Sequence, residues 1–390
     1  MTEKAQSFDD WIRANFVAMN TALEEIYLQQ ENPEQIIGVG DEIKHQLEDE
    51  GKAHIVTLLA EGNTDEGFES GFNLLGNVGL YMAACRRHGL TDPATQSKSP
   101  QKEASALAMQ LGASLGVIPR FASAHLETHN LAVDGNYKRF TALEDEEIFL
   151  SYNTRSVFAF IRASEALRHT LGLGVSHPVT HDLLLAARNA LEDVVRYNEK
   201  LFDELDTDRF FYCVRPYYKT HRVGMHEYRG ANAGDFAGIN VVDLLLGLCR
   251  ADDAYYSQLL VDKFLFMRPE EQLILRDCMR RQSLLDGFLE QCERQGDSPW
   301  SQKNAAMFLQ VCAAHGNTAT QHHERLIAKF IEEPAQDKGL QYQADLTASG
   351  PPLDVMLRSL KKLCDMRNAA DRADIPSRFA DLEKLRSTLH

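Results

Sequence analysis

Fourteen histidines are spread through this sequence, and their spacing decides which could hold a metal ion. His323 has Ala319, Thr320, Leu326, Ile327 and Phe330 at three, four and seven positions, so on a helix its imidazole projects from a largely apolar stripe. His322 shares its face with Thr318, Arg325 and Lys329 and reads as solvent-facing. A haem iron needs this contrast: one neutral imidazole delivered from an apolar wall, with the opposite side left open for oxygen. Taken alone, a histidine on an apolar face is more often a satisfied core residue than a ligand. His315, with Phe308, Val311 and Ala319 nearby and Gly316 expected to break the helix, is the second candidate. His125 and His129 have the spacing at which two imidazoles face one ion on a helix. Leu126 stands where the zinc-protease pattern H-E-x-x-H has its glutamate and no third ligand is evident, so both read as surface histidines. His177 and His181 share the spacing, but Pro178 starts a helix between them and makes them diverge.

The run Phe210-Phe211-Tyr212-Cys213-Val214-Arg215-Pro216-Tyr217-Tyr218 packs aromatic rings around one arginine. Such an arginine can stack on rings and still offer its fork to a carboxylate; the plainer expectation is pairing with an internal Asp or Glu. Gly230, Gly234 and Gly238 recur in a loop that leads into an apolar run, which suggests tight backbone approach. No Gly-Lys-Ser/Thr follows, so this is not a phosphate-cradling loop. The segment 347–352 reads as a turn before another helix. No G-x-S-x-G elbow and no G-x-G-x-x-G after a strand occurs, which excludes the commonest hydrolase and dinucleotide-binding designs. The acidic runs Asp145-Glu146-Glu147 and Asp252-Asp253 read as solvated faces.

The elements that must position these groups are helical. Prolines fall between periodic stretches, and Pro33, Pro178, Pro269 and Pro299 each precede a helix-like run. After Pro178, Leu184, Ala187, Leu191, Val194 and Leu201 recur at helical spacing, with Arg188, Glu192, Arg196 and Lys200 on the other side. Similar patterns cover 8–29, 66–86, 270–292, 300–333 and 352–368, whereas two-residue alternation is almost absent. The fold class is therefore all-α, with a dozen or more helices and no internal repeat. Polar stretches at 91–103 and 130–139 are loops. The second is the expected boundary between a smaller N-terminal helical region, 1–130, and a larger helical domain, 131–390, able to hold a cofactor between helices.

Composition narrows the function classes. The 390 residues are 44% hydrophobic and 25% charged, which fits neither a disordered chain nor a fibre. A net charge of −16 repels nucleic acid and anionic lipid. The polar N-terminus lacks a secretory pattern and no apolar run approaches a membrane span, so a cytoplasmic location is expected. Seven scattered cysteines without a C-x-x-C pair read as reduced thiols packed in the interior.

Together these segments resemble the haem-dependent superfamily of indoleamine and tryptophan 2,3-dioxygenases, with the greatest likeness to its monodechloroaminopyrrolnitrin synthase branch. The likeness spans about 70–368 and is strongest from Phe210 to Leu248, where Arg215-Pro216-Tyr217-Tyr218, Arg222-Val223-Gly224, the glycine loop and Val242-Asp243-Leu244-Leu245-Leu246-Gly247 follow the family order. Gly79-Leu80-Tyr81 to Arg87-His88-Gly89, Leu143-Glu144-Asp145-Glu146 and Ser349-Gly350 to Leu357 match more weakly. The resemblance implies a multi-helix fold binding haem b, with His323 as the iron ligand. It implies that Phe210 lines the open side of the haem, that Arg215 holds an amino-acid carboxylate, and that Asn232, Ala233 and Gly234 lie over the haem edge. Ser349 and Gly350 fall where the family closes a small loop over substrate, with Pro351 and Pro352 in place of a second glycine and its neighbour. Ser156 stands for the distal serine of the indoleamine type; a distal histidine is not found.

The expected activity is a haem-dependent oxygenase that adds O2 across the C2–C3 bond of tryptophan or a related indole amino acid. The alternatives are rearrangement of an indole ring in secondary metabolism, a haem-binding sensor or store without turnover, and a helical interaction protein with no cofactor. The expected partners are a small indole substrate and O2, with no nucleic acid or membrane and with self-association into a homo-oligomer left open.

Overall fold

Apolar residues at three- and four-residue spacing dominate this chain, and its computed structural model, which describes residues 1–62, 66–294, 299–325 and 353–389, is built from helices accordingly. The all-α expectation is borne out. Two compact units form, and the chain passes between them more than once: among the described residues, Met1–Ser151 and Leu205–Asp235 belong to the first, and Tyr152–Glu204, 236–325 and 354–389 to the second.

The first unit contains α1 (Glu3–Arg13), α2 (Asn15–Leu28), α3 (Asp41–Glu61), α4 (Phe68–Arg87), α5 (Lys102–Leu115) and the start of α6 (Glu144–Thr170). The run expected at 8–29 is two helices, because the backbone leaves the helical region at Ala14, whose N–H returns to the carbonyls of Asp10 and Trp11. Pro33 opens no helix; α3 starts later, after Gly40 in the left-handed region at φ 72°. Every residue of α4 from Leu74 to Cys85 is buried, so this helix is the centre of the unit. Gly79 lets it lie against the 121 backbone, where an added Cβ would stand 2.2 Å from Phe121 N. Later segments complete the unit. A π-turn (Phe210–Val214) and a 3-10 turn (Arg215–Tyr218) lead into an antiparallel pair, β1 (His221–Val223) and β2 (His226–Tyr228), with Arg222 opposite Glu227. Three-residue strands are too short to show alternation, and the sequence reading has no counterpart for them.

Buried polar groups tie these pieces together. Arg87 donates to both oxygens of Glu24, at 2.8 and 2.7 Å, and to Tyr212 O at 3.0 Å. Two members of the Asp145-Glu146-Glu147 run are buried rather than solvated. Glu146 accepts from Phe140 N, Thr141 N and Thr141 Oγ1, and burial pushes its pKa up to about 7. Asp145 accepts from Asp206 N at 3.0 Å. The division expected after residue 130 falls inside this unit because the 130–139 loop is pinned: Asn130 Nδ2 donates to Lys138 O at 2.7 Å, and Lys138 Nζ donates to Asn77 Oδ1 at 2.8 Å.

The second unit contains the rest of α6, then α7 (Pro178–Glu204), α8 (Ala237–Leu246), α9 (Ala254–Phe264), α10 (Pro269–Cys278), α11 (Leu284–Glu293), α12 (Pro299–Gln321), α13 (Leu353–Arg367) and α14 (Phe379–Ser387). Pro178, Pro269 and Pro299 open helices as expected, and the apolar stripe of α7 is buried along α12. The run at 270–292 divides at Ser283, whose Oγ accepts from Asp286 N at 3.1 Å and caps α11. Asp253 caps α9 in the same way, accepting from Tyr256 N.

Asp243 is a polar hub in the core of this unit. It accepts from Arg367 Nε and Nη2 at 2.8 and 2.7 Å, from His315 Nε2 at 2.7 Å and from Tyr256 Oη at 2.7 Å. Burial works to raise its pKa, but Arg367 and His315 hold it well below the ordinary carboxylate range. Gly316 does not break α12; it makes room for the chain after α13, since a Cβ there would lie 2.5 Å from Asn368 Oδ1. No helix among the described residues is long and apolar enough to cross a membrane.

Replacing Asp243 by Asn should cost about 3–5 kcal/mol in urea unfolding at neutral pH, because a buried guanidinium loses its charge partner. The lowered carboxyl pKa means that Asp243 stabilises the fold above its ordinary value of 3.8 and that this contribution fades as the pH falls below it; the variant should lack that acid-side slope. Gly79→Ala should cost at least about 1–3 kcal/mol by the same assay, since the clash is with backbone.

Candidate functional site

Arg215 is placed by the turns around it. Asp206 accepts from Arg209 N at 2.8 Å and starts a short turn, the π-turn carries Phe211, Tyr212 and Cys213 against Leu28 and Leu143, and Tyr217 stacks on Phe140 with centroids 4.4 Å apart. Arg87 holds the middle of the segment through Tyr212 O. Phe210 is buried with its ring 5.0 Å from that of Phe149. The Arg215 side chain lies 5.1 Å from the Phe211 ring centroid, only 6% of the residue is exposed, and Nη1 has no hydrogen-bond partner among the described residues. Burial draws its pKa down to about 10, the charge of Glu34 opposing, so it remains a cation at neutral pH. The expected alternative, pairing with an internal carboxylate, is not what the described residues do.

The glycine loop is built by local turn chemistry. Arg229 meets both oxygens of Asp235 at 3.0 and 2.7 Å, Asp235 Oδ2 accepts from Asn232 N at 3.0 Å, and Asn232 Oδ1 accepts from Gly234 N at 2.8 Å. Asn232 is exposed, and Ala233 and Gly234 are half-buried, so the tip of the loop faces outward from a fixed base. Tight approach is seen at Gly238, where a Cβ would meet the Phe236 ring at 2.7 Å and Ile161 N at 3.3 Å.

His323 lies in a π-turn at 322–325 that continues α12, half-buried, with a buried Nδ1 that has no hydrogen-bond partner among the described residues, while His322 is exposed. Leu326, Ile327 and Phe330 of its expected apolar stripe lie outside the described residues, as do Ser349 and Gly350. His315 is fully buried and bound to Asp243, with Phe160 edge-on to its ring at 6.3 Å; it is a structural residue of the hub. Ser156 is buried and donates to Asn198 Oδ1 at 3.2 Å, so its hydroxyl is engaged between α6 and α7.

The other histidines paired by spacing are placed by local packing. His125 is not a surface residue: it sits in a 3-10 turn, stacked on Phe72 at 3.9 Å, with its two ring nitrogens facing Ala122 N and Phe72 O at 2.9 Å each. Burial lowers its pKa to about 3 and keeps it neutral. His177 accepts from Val179 N while His181 turns towards Trp300, the divergence that Pro178 predicts. No group of three His, Cys, Asp or Glu side chains suited to a metal ion occurs among the described residues.

Phe210, Arg215 and the 232–234 loop are thus carried by the first unit, and Ser156 and His323 by the second. Glu34 was not singled out by sequence; its Oε1 is buried without a partner in a loop whose only signal is Asn32-Pro33. In cofactor-free protein, His315→Ala should lose about 2–4 kcal/mol in urea unfolding because it strips a bond from a buried carboxylate, whereas His323→Ala should change stability by less than about 1 kcal/mol.

Comparison with known families gives one result. The family model described as monodechloroaminopyrrolnitrin synthase PrnB matches residues 2–389. None of the curated proteins matches the chain.

Proposed function

The chain belongs to the monodechloroaminopyrrolnitrin synthase PrnB family, and from that membership we propose that it is a haem-dependent enzyme of secondary metabolism that rearranges the ring of an indole amino acid. The observation that carries this reading is the match of a synthase family along nearly the whole chain, which favours ring rearrangement over the cleavage of a tryptophan dioxygenase. The buried Arg215 Nη1, without a hydrogen-bond partner among the described residues, supports an anionic substrate group, and the His323 Nδ1, likewise without one among them, supports an imidazole available for a further bond.

Bound haem, taken here as the b type, supplies O2 activation. The protein's own groups bind and orient. His323 is the residue that would hold the iron. Arg215 receives the substrate carboxylate through its two-point fork, already stacked on Phe211 and so limited in the directions it can take. Phe210, buried beside Phe149, offers a ring face to the indole and keeps water from it. The 232–234 loop, fixed at its base by the Arg229–Asp235 pair, is assigned to the cofactor edge, and Ser349 and Gly350 to closure over the substrate. A distal role for Ser156 requires its hydroxyl to leave Asn198.

Titration of the purified protein with haemin should give a Soret band, and His323→Ala should abolish or shift it; an unaltered spectrum removes His323 as the ligand. Loaded enzyme supplied with reductant, O2 and L-tryptophan should give a product whose mass does not show simple gain of two oxygen atoms. A product two oxygen atoms heavier than the substrate would restore the dioxygenase reading. Absence of turnover with every indole tested would favour a sensor or store.

A further inference from the structure

A phenol has one polar atom, and enclosing it without a hydrogen bond is costly because nothing else on the side chain compensates. Tyr27, Tyr81 and Tyr217 of the first unit avoid that cost: Tyr27 Oη meets His88 Nδ1 at 3.0 Å, Tyr217 Oη meets His88 Nε2 at 3.4 Å, and Tyr81 Oη donates to Glu48 O at 3.0 Å. Tyr218 does not. Its Oη is buried with no hydrogen-bond partner among the described residues, although the residue as a whole is half-buried and so lies at the edge of the core. Arg120, whose Nη2 is likewise without a partner among them, differs in donating through its other nitrogens to Phe121 O and Arg229 O. The carboxyls whose charges bear on Tyr218 are Glu146 and Glu127; neither bonds it, and Glu146 is occupied by Phe140 N, Thr141 N and Thr141 Oγ1.

The position of this phenol is fixed by rings. Phe121, Phe140 and Phe149 each stand edge-on to Tyr218, with centroids at 6.0, 5.8 and 5.7 Å. Phe149 also meets Phe210, at 5.0 Å, so one ring links Tyr218 to the residue read as facing the indole. Tyr218 closes the 3-10 turn that Arg215 opens, and residues three apart in such a turn project from the same side. The phenol therefore belongs to the wall that carries Phe210 and Arg215, and all of these residues lie within the first unit.

The chemistry of the ligand follows from that wall. Of the polar groups of an indole amino acid, the ring N–H is the one that must enter an aromatic enclosure, and there it needs an acceptor. Arg120 and Arg215 can only donate. His221 is kept neutral by burial and has a nitrogen that accepts, but its ring meets Phe121, one ring further from Phe210. A protonated phenol still has lone pairs to offer, and burial holds the Tyr218 pKa well above its ordinary value.

We propose that Tyr218 is a specificity-determining residue whose Oη accepts the ring N–H of the indole substrate, so that the wall of Phe210 and Phe149 selects a nitrogen heterocycle over a plain aromatic ring. The inference rests on the reading of Phe210 and Arg215 as the substrate site. Two ligands separate the parts: L-tryptophan has the ring N–H, whereas benzothienylalanine carries sulfur in its place and keeps the same shape, carboxylate and ammonium.

Calorimetric titration of the haem-loaded full chain should find tryptophan bound about tenfold more tightly than benzothienylalanine. Tyr218→Phe, which removes one hydroxyl and keeps the ring, should weaken tryptophan by about tenfold and leave benzothienylalanine within about twofold, so that the preference disappears. Arg215→Gln should weaken both ligands alike, since both keep the carboxylate. If it weakens neither, the carboxylate reading fails, while a preference that Tyr218→Phe removes still supports Tyr218. If Tyr218→Phe weakens both ligands equally, the residue acts through packing and the proposal is overturned. A Tyr218→Phe protein that unfolds at lower urea yet keeps the full preference for tryptophan shows a hydroxyl bonded within the fold, and also overturns it. Wild-type protein that binds the two ligands equally, or neither, overturns it without any variant.

Discussion

A guanidinium taken out of water must be given acceptors, a carboxylate above all, or be left at considerable cost, and this constraint shapes both units of the chain. Arg87 satisfies it through Glu24 and in doing so ties α2 and α4 to the segment that carries Arg215. Arg367 satisfies it through Asp243, and the same carboxylate fixes His315 and Tyr256. Arg215 is built to the same depth on a segment held from several sides, but its fork is not filled from within the described residues. On the proposed reading of Arg215, rigid surroundings would favour an anion there, because little further ordering is needed on binding.

The same contrast sorts the histidines. His315 and His323 both belong to the α12 region and both have apolar neighbours in sequence, so periodicity ranks them together. What separates them is a partner seventy-two residues away from His315, the Asp243 carboxylate, which no local pattern reveals. His323 is half-buried, and its Nδ1 has no hydrogen-bond partner among the described residues.

Helices were legible because their burial is periodic: Leu184, Ala187, Leu191 and Val194 could be assigned to a buried face before any fold was known, and three of the four chosen prolines do open helices. Features that depend on a few residues were not. Ala14 divides one expected helix without a proline or glycine, and the hairpin at 221–228 is too short for alternation to register. Burial of a polar residue leaves no sequence signal where the partner is backbone. Glu146 looks like part of a charged surface run, yet it is buried by accepting from two amide groups, and His125 looks like a surface imidazole, yet it is enclosed by Phe72 and the Ala122 amide. The family was legible because the Phe210–Leu248 segment keeps its order in sequence.

The division of the chain into interleaved units bears on how it is made. Residues 1–151 emerge from a ribosome first, but their unit still lacks the 205–235 stretch, which supplies the carbonyls for Ser99, Arg87 and Arg120 and the ring on which Phe140 stacks. The nascent N-terminal helices must therefore wait, partly unfinished, while α6 and α7 are synthesised. Vectorial folding by halves is closed to this topology, and exposed α4 surface is the hazard of that interval.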